Sequence, residues 1–145
     1  MNEIVYIYIN NLSPRVRTII NYFNMRNIDY EVKNTRIETL TKDDLLKMLR
    51  IAINGFDAII DRKSPIYRSK GKAYFDNLAT TSLIDFILRK PSILKDIILL
   101  NELDIDANPR DHDLEVFLPV KEKKRLYEEL MAKSNYLYTY NNIVV

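Results

Sequence analysis

Residues 4–32 read IVYIYINNLSPRVRTIINYFNMRNIDYEV, and this stretch decides the fold. Ile4 to Ile9 is an unbroken run of β-branched and aromatic residues, which predicts a strand covered on both faces, as in a parallel or mixed central sheet. Asn10, Asn11, Leu12 and Ser13 break the run. Ser13 followed by Pro14 predicts a helix start, because a serine hydroxyl accepts an orphan N–H and proline is tolerated at the first helical position. Val16, Ile19, Ile20 and Phe23 recur at helical spacing, so the helix lays one apolar stripe on the sheet. A second strand around Tyr30 and Val32 completes a βαβ unit, and its right-handed crossover makes the two strands parallel.

Working outward, Thr41-Lys-Asp-Asp44 has the form of a capping box, with both acids near the positive end of a helix. Leu45, Met48, Leu49, Ala52 and Ile53 form the expected buried stripe of that helix. Asn54-Gly55 is expected to end it, since glycine accepts a left-handed backbone at little cost. Asp57 to Asp76 reads as short helices or loop, and Thr81 to Arg89 as a helix stopped by Pro91. Ile97 to Leu100 predicts a buried strand, with Leu103 to Asp106 returning as its hairpin partner through Asn101-Glu102. Asp113 to Leu118 and Val120 to Lys133 predict two helices separated by Pro119. The tail from Ser134 shows no clear period apart from Tyr136, Tyr138 and Tyr140 at alternate positions. These read as an edge strand or an aromatic patch for a partner, with packing against the domain as the plainer reading. The economical organisation is a single domain over 1–145, with 134–145 as a C-terminal extension.

Composition narrows the chemistry. The chain has 145 residues, 47% hydrophobic and 29% charged, which is ordinary for a globular protein with a core. Two glycines argue against a glycine-rich phosphate loop, and the absence of cysteine excludes disulfides, thiolate metal sites and thiol nucleophiles. No apolar run approaches the roughly 20 residues that span a bilayer, and Met1-Asn2-Glu3 lacks the positive flank of a secretory signal, so a cytoplasmic location is expected. The net charge of +2 implies no nucleic-acid binding by itself. Its distribution says more: Arg62, Lys63, Arg68, Lys70 and Lys72 stand in a stretch without an acid. Lys121, Lys123, Lys124 and Arg125 form a second basic run, offset by Glu122.

Three short motifs then point to a family. Leu49-Arg50-Ile-Ala-Ile-Asn-Gly55-Phe-Asp57-Ala-Ile59-Ile60 is similar to Leu-Arg-x₄-Gly-x-Asp-x-Ile-Ile, Ser64 matches the serine of an Arg-Ser-Lys motif, and Phe117-Leu118-Pro119-x-Lys121 matches Phe-Leu-Pro-x-Lys. In this order they resemble the Spx and arsenate reductase family over roughly Ile4 to Arg125. The resemblance implies a thioredoxin-like α/β fold, a mixed sheet with an inserted helical segment. The departures are as informative. Redox-active members carry Cys-x-x-Cys or a single cysteine directly after the first strand, where this chain has Ser13 and Val16, although the following arginine is kept as Arg17. Lys63 replaces the arginine before Ser64 and Pro65 the lysine after it. Asp96-Ile97 stands where Arg-Pro, its proline typically cis, opens the third strand.

The resemblance therefore implies a binding module without the family's redox chemistry. In Spx proteins the helix end around the glycine docks on the C-terminal domain of the RNA polymerase α subunit. By that resemblance Arg50 and Gly55 are the polymerase-binding candidates, and Arg62, Lys63, Arg68, Lys70 and Lys72 are placed to reach promoter phosphates in the complex. The implied protein is redox-insensitive, needs no cofactor or metal, does not engage a membrane and is monomeric when free. The alternative is a degenerate, non-thiol reductase-like enzyme or anion-binding protein using Ser13 and Arg17 at the helix start. Plainer roles stand beside these: Gly55 as a helix cap, the basic run as a solvated surface, and Ser13 as an N-cap with no histidine near it. Asp104, Asp106, Asn108, His112 and Glu115 fall at calcium-loop spacings, but Pro109 takes the glycine position and a strand is expected before them, so the match reads as coincidence. A short small-residue tag of the kind that ends Spx chains is not evident in Asn142-Ile-Val-Val145.

Overall fold

The computed structural model describes residues 4–144, with side chains described as far as residue 134. Strand β1 (Val5–Ile9) leads into helix α1 (Arg15–Met25) and returns as β2 (Tyr30–Asn34). β1 and β2 pair in parallel, Val5 opposite Tyr30 and Ile9 opposite Asn34, as the opening βαβ stretch predicts. Four helices follow before the next strand: α2 (Lys42–Ile51), α3 (Pro65–Lys70), α4 (Lys72–Asp76) and α5 (Thr80–Arg89). Strands β3 (Ile97–Leu100) and β4 (Ile105–Ala107) complete a mixed sheet of order β2-β1-β3-β4, with β3 antiparallel to both its neighbours. A 3-10 helix at Asp111–Phe117 and helix α6 (Val120–Val144) close the chain. This is the thioredoxin-like layout with its helical insertion between β2 and β3.

The two central strands explain the burial of both sheet faces. Successive side chains on a strand point to opposite faces. Ile7, Ile9, Ile97 and Leu99 therefore meet Ile19 and Phe23 of α1, together with Leu114 and Phe117. Tyr8, Ile98 and Leu100 point the other way, onto Leu45 and Met48 of α2 and Ile87 of α5. The continuous apolar run at the start of the chain is thus shared between two cores.

Several expectations need correction. Helix α1 starts at Arg15, with Pro14 just outside it, and the Ser13 hydroxyl accepts the Arg15 N–H at 3.2 Å. Helix α2 ends at Ile51, and Ala52 already has an extended backbone (ψ 116°). Ile53 consequently lies beyond the helix and is 99% exposed, not part of its buried stripe. Gly55 does not cap α2; its left-handed backbone (φ +57°) opens a 3-10 turn over Gly55–Ala58. The hairpin partner of β3 begins at Ile105, two residues later than expected, because Asn101 to Asp104 form the turn. The backbone of α6 continues without a break to Val144, so the tail is helical and the alternating tyrosines make no edge strand. The side chains of Tyr136, Tyr138 and Tyr140, as well as Met1–Glu3 and Val145, lie outside the described residues. Among the described residues no helix is long and apolar enough to cross a membrane.

Candidate functional site

Helix α2 carries the family-like segment, and its position is set at its first turn. The Thr41 hydroxyl accepts the Asp44 N–H at 3.1 Å while the Asp44 carboxylate accepts the Thr41 N–H at 3.0 Å, the capping box that the sequence predicts. The same carboxylate pairs with the Lys33 ammonium of β2 and accepts the Tyr8 hydroxyl of β1 at 3.0 Å. Burial alone would raise the Asp44 carboxyl, but the bonds from Lys33, Thr41 and Tyr8 outweigh it and hold the group down at about 2. Burial, with Asp44 beside it, pushes the Tyr8 phenol up, so it stays a neutral donor. One carboxylate thereby ties α2 to two strands.

At its far end α2 lies by the start of β1 and the end of β3. Arg50 is exposed there, without an ion pair among the described residues, on a cleft of about 340 Å³ shared with Tyr6, Ile51, Leu100 and Glu102. The Gly55 N–H donates to the Ala52 carbonyl at 3.2 Å, which turns the chain back at Ile53-Asn54. A Cβ placed on Gly55 would meet nothing within 4 Å, so the space in front of it is open. Gly55 lines a second cleft of about 380 Å³ with Phe56, Asp57, Arg62, Tyr67 and Phe75. Arg50 and Gly55 thus flank the same helix end but face separate hollows.

The basic stretch is divided by its neighbours. Arg62 pairs with Asp57 at 2.7 Å and Lys72 with Asp76 at 2.5 Å. Lys63, Arg68 and Lys70 are exposed and have no ion pair among the described residues, and the Lys70 ammonium lies 4.8 Å from the centre of the Tyr74 ring. Ser64 is buried and caps α3, accepting the Tyr67 N–H at 3.3 Å. Its place in the motif is filled by a structural bond.

The corner at Ser13 and Val16 shows a similar settlement. Val16 is half-buried against the α1 core, and Arg17 is exposed. The cleft beside Ser13, about 470 Å³, is lined by Arg15 and Arg110 but also by Asp96 and Asp111. Arg15 is engaged with the Asp111 carboxylate at 2.8 Å and the Pro109 carbonyl at 3.1 Å. Two arginines offset by two aspartates leave no net attraction for an anion. The loop after β1 is pinned from above: buried Asn10 donates to the Lys95 carbonyl at 2.9 Å and accepts the Thr35 hydroxyl at 2.8 Å. The calcium-spaced residues run through β4 into a 3-10 helix, and among the described residues no three His, Asp or Glu side chains gather around one point. Asp106, within that stretch, is pushed up by burial and by Asp113.

Sequence reasoning missed Lys33, Asn10 and Ile53. Lys33 and Asn10 act through partners remote in sequence, and Ile53 carries a helical spacing past the helix end.

No family model matches the chain. It is similar to "Global transcriptional regulator Spx 2" of Oceanobacillus iheyensis, 29% identical over 106 residues, covering 73% of this chain and 78% of that protein. "Global transcriptional regulator Spx" of Streptococcus mutans is 26% identical over 104 residues, 72% of this chain and 75% of that one. Among solved structures, an arsenate reductase from Vibrio cholerae superposes with a TM-score of 0.64 at 15% identity, over 81% of this chain and 98% of that chain. An arsenate-reductase-related protein from Brucella melitensis gives 0.58 at 18%, over 83% and 97%. At such identities the structural likeness carries the fold alone.

Proposed function

Because the chain is a divergent, cysteine-free relative of the Spx and arsenate-reductase-like proteins, we propose that it is a transcription regulator that docks on the C-terminal domain of the RNA polymerase α subunit without a redox switch. The observation that carries this reading is the exposed end of α2, where Arg50 has no ion pair among the described residues and the space before Gly55 is open. A glycine with nothing in front of it admits a partner backbone to close range. Lys63, Arg68 and Lys70 would then face promoter phosphates beside the docked subunit, with Arg62 and Lys72 held by their aspartates. Regulation in this reading comes from abundance or partners, since no thiol exists to oxidise. The alternative of a non-thiol enzyme or anion-binding protein at Ser13 and Arg17 gains nothing from a cleft whose charges are balanced.

Titration calorimetry of the purified chain against isolated α C-terminal domain tests the proposal. Saturable binding that Gly55→Arg abolishes is the expected result. Absence of heat with both proteins folded at tens of micromolar sinks it, since a 10 μM contact is worth about −7 kcal/mol.

A further inference from the structure

We propose that the outer edge of β2 is a second docking surface, which takes an extended partner segment of alternating basic and apolar residues as a fifth strand of the four-stranded sheet. This surface stands apart from the polymerase reading and rests on main-chain and charge geometry beside the first turn of α2.

β2 is an edge strand, paired with β1 alone. In a parallel ladder the hydrogen bonds go to alternate residues of a strand. The Asp29 carbonyl accepts the Val5 N–H at 3.0 Å, and the Thr35 N–H donates to the Ile9 carbonyl at 2.9 Å. The main chain of Glu31 and Lys33 therefore bonds β1, and that of Tyr30, Val32 and Asn34 points away from the sheet. The Asn34 carbonyl is taken by the Ile37 and Glu38 N–H groups at 3.0 and 2.8 Å. The Val32 N–H and carbonyl have no hydrogen-bond partner among the described residues, and Val32 is 39% exposed.

An open edge is a template for another strand unless it is short, bulged, broken by proline or covered. β4, at the other edge, has three residues and runs into Asn108-Pro109. β2 has five residues in unbroken register with β1 and contains no proline. Its one lysine is drawn inward to Asp44.

The two faces of this strand differ. Glu31 and Lys33 project toward α2, beside Tyr6 and Tyr8 of β1, while Val32 projects toward α1. On the α2 side a cleft of about 440 Å³ runs along the edge. Both lysines in its lining are engaged, Lys33 with Asp44 and Lys47 with Asp43 at 3.2 Å. Glu31 and Glu38, also in the lining, are exposed and have no ion pair among the described residues. Arg36, in the turn after β2, lies outside the cleft. Two uncompensated carboxylates attract a cation and repel an acidic segment. A lysine or arginine stem fits along the Tyr6 ring with its charged end toward them. On the opposite face, Val32 offers an apolar neighbour to the alternate residues of the incoming strand. β1 and the Lys33–Asp44 pair already hold β2 in place, so this side loses little backbone entropy when a strand adds.

The test titrates the ¹⁵N-labelled full chain at low salt with two blocked peptides of strand length, one alternating lysine and valine, the other glutamate and valine. The lysine peptide is expected to bind at least about tenfold tighter than the glutamate peptide. It is also expected to slow deuterium exchange of the Val32 amide about fivefold or more. Glu31→Lys combined with Glu38→Lys should reverse the preference. Both glutamates are exposed, so an unchanged thermal melt verifies that the double variant folds. Equal binding of the two peptides, or no binding of either at about 1 mM, overturns the proposal. Binding that leaves Val32 exchange untouched, or that the double variant does not change, places the peptide elsewhere and also overturns it. Sedimentation velocity of the chain alone is expected to show a monomer. Self-association that protects the Val32 amide makes a second copy the occupant and refutes the basic partner.

Discussion

Replacing Asp44 by asparagine removes one charge from a point where α2, β1 and β2 converge. The carboxylate is 14% exposed, paired with Lys33 and hydrogen-bonded by Thr41 and Tyr8. Holding it at about 2 rather than its ordinary 3.8 contributes about 2 kcal/mol of stability. A carboxyl depressed in the folded state gives its full contribution above the unfolded value of 3.8 and loses it as pH falls through about 2. Asp44→Asn should therefore lower stability by about 2 kcal/mol at pH 7, or about 4–8 °C in melting temperature for a chain of this size. The gap between variant and wild type should close between pH 4 and pH 2. Urea unfolding followed by circular dichroism across that range measures it. A variant within about 0.5 kcal/mol of wild type at pH 7, or a gap undiminished at pH 2, refutes the argument that this one carboxylate locks α2 to the sheet.

Two further outcomes concern the proposed interface. Gly55→Ala should cost about 1–2 kcal/mol for a left-handed alanine, although its Cβ meets nothing within the fold, and should weaken partner binding by putting that Cβ where the partner backbone approaches. Unchanged binding with alanine, read by calorimetry against the isolated α C-terminal domain, would show that close approach to the glycine is not what the contact uses. Joint replacement of Lys63, Arg68 and Lys70 by alanine should leave the melt unchanged. It should flatten the salt dependence of promoter binding by the α-subunit complex by about 0.9 for each phosphate no longer neutralised, read by fluorescence anisotropy at several salt concentrations.

The parts of this protein that were legible in its sequence are those decided by near neighbours. The βαβ opening follows from the β-branched run, the Ser13-Pro14 break and the 3.6-residue period of α1, and the capping box lies within four residues. Ile53 misled because Leu49 and Ile53 keep the i, i+4 spacing of a buried stripe, while the helix has already ended at Ile51. Lys33 and Asp44 are 11 residues apart and Tyr8 and Asp44 are 36 apart, so their contacts exist only once the sheet is assembled. The basic stretch looked uncompensated because Asp57 and Asp76 lie just outside it and reach Arg62 and Lys72 in the fold. The tail had neither an amphipathic stripe nor strong helix formers, yet its backbone continues α6 to Val144. At the redox corner the substitutions at Ser13 and Val16 were plain in the sequence. The neutralisation of Arg15 by Asp111 was not.

The central claim is that the end of α2 docks on the polymerase α subunit. Titration of the folded chain with isolated α C-terminal domain measures it directly. The account predicts a saturable one-to-one complex at tens of micromolar that vanishes with Gly55→Arg. No heat from the wild-type chain, or a complex indifferent to Gly55→Arg, contradicts it.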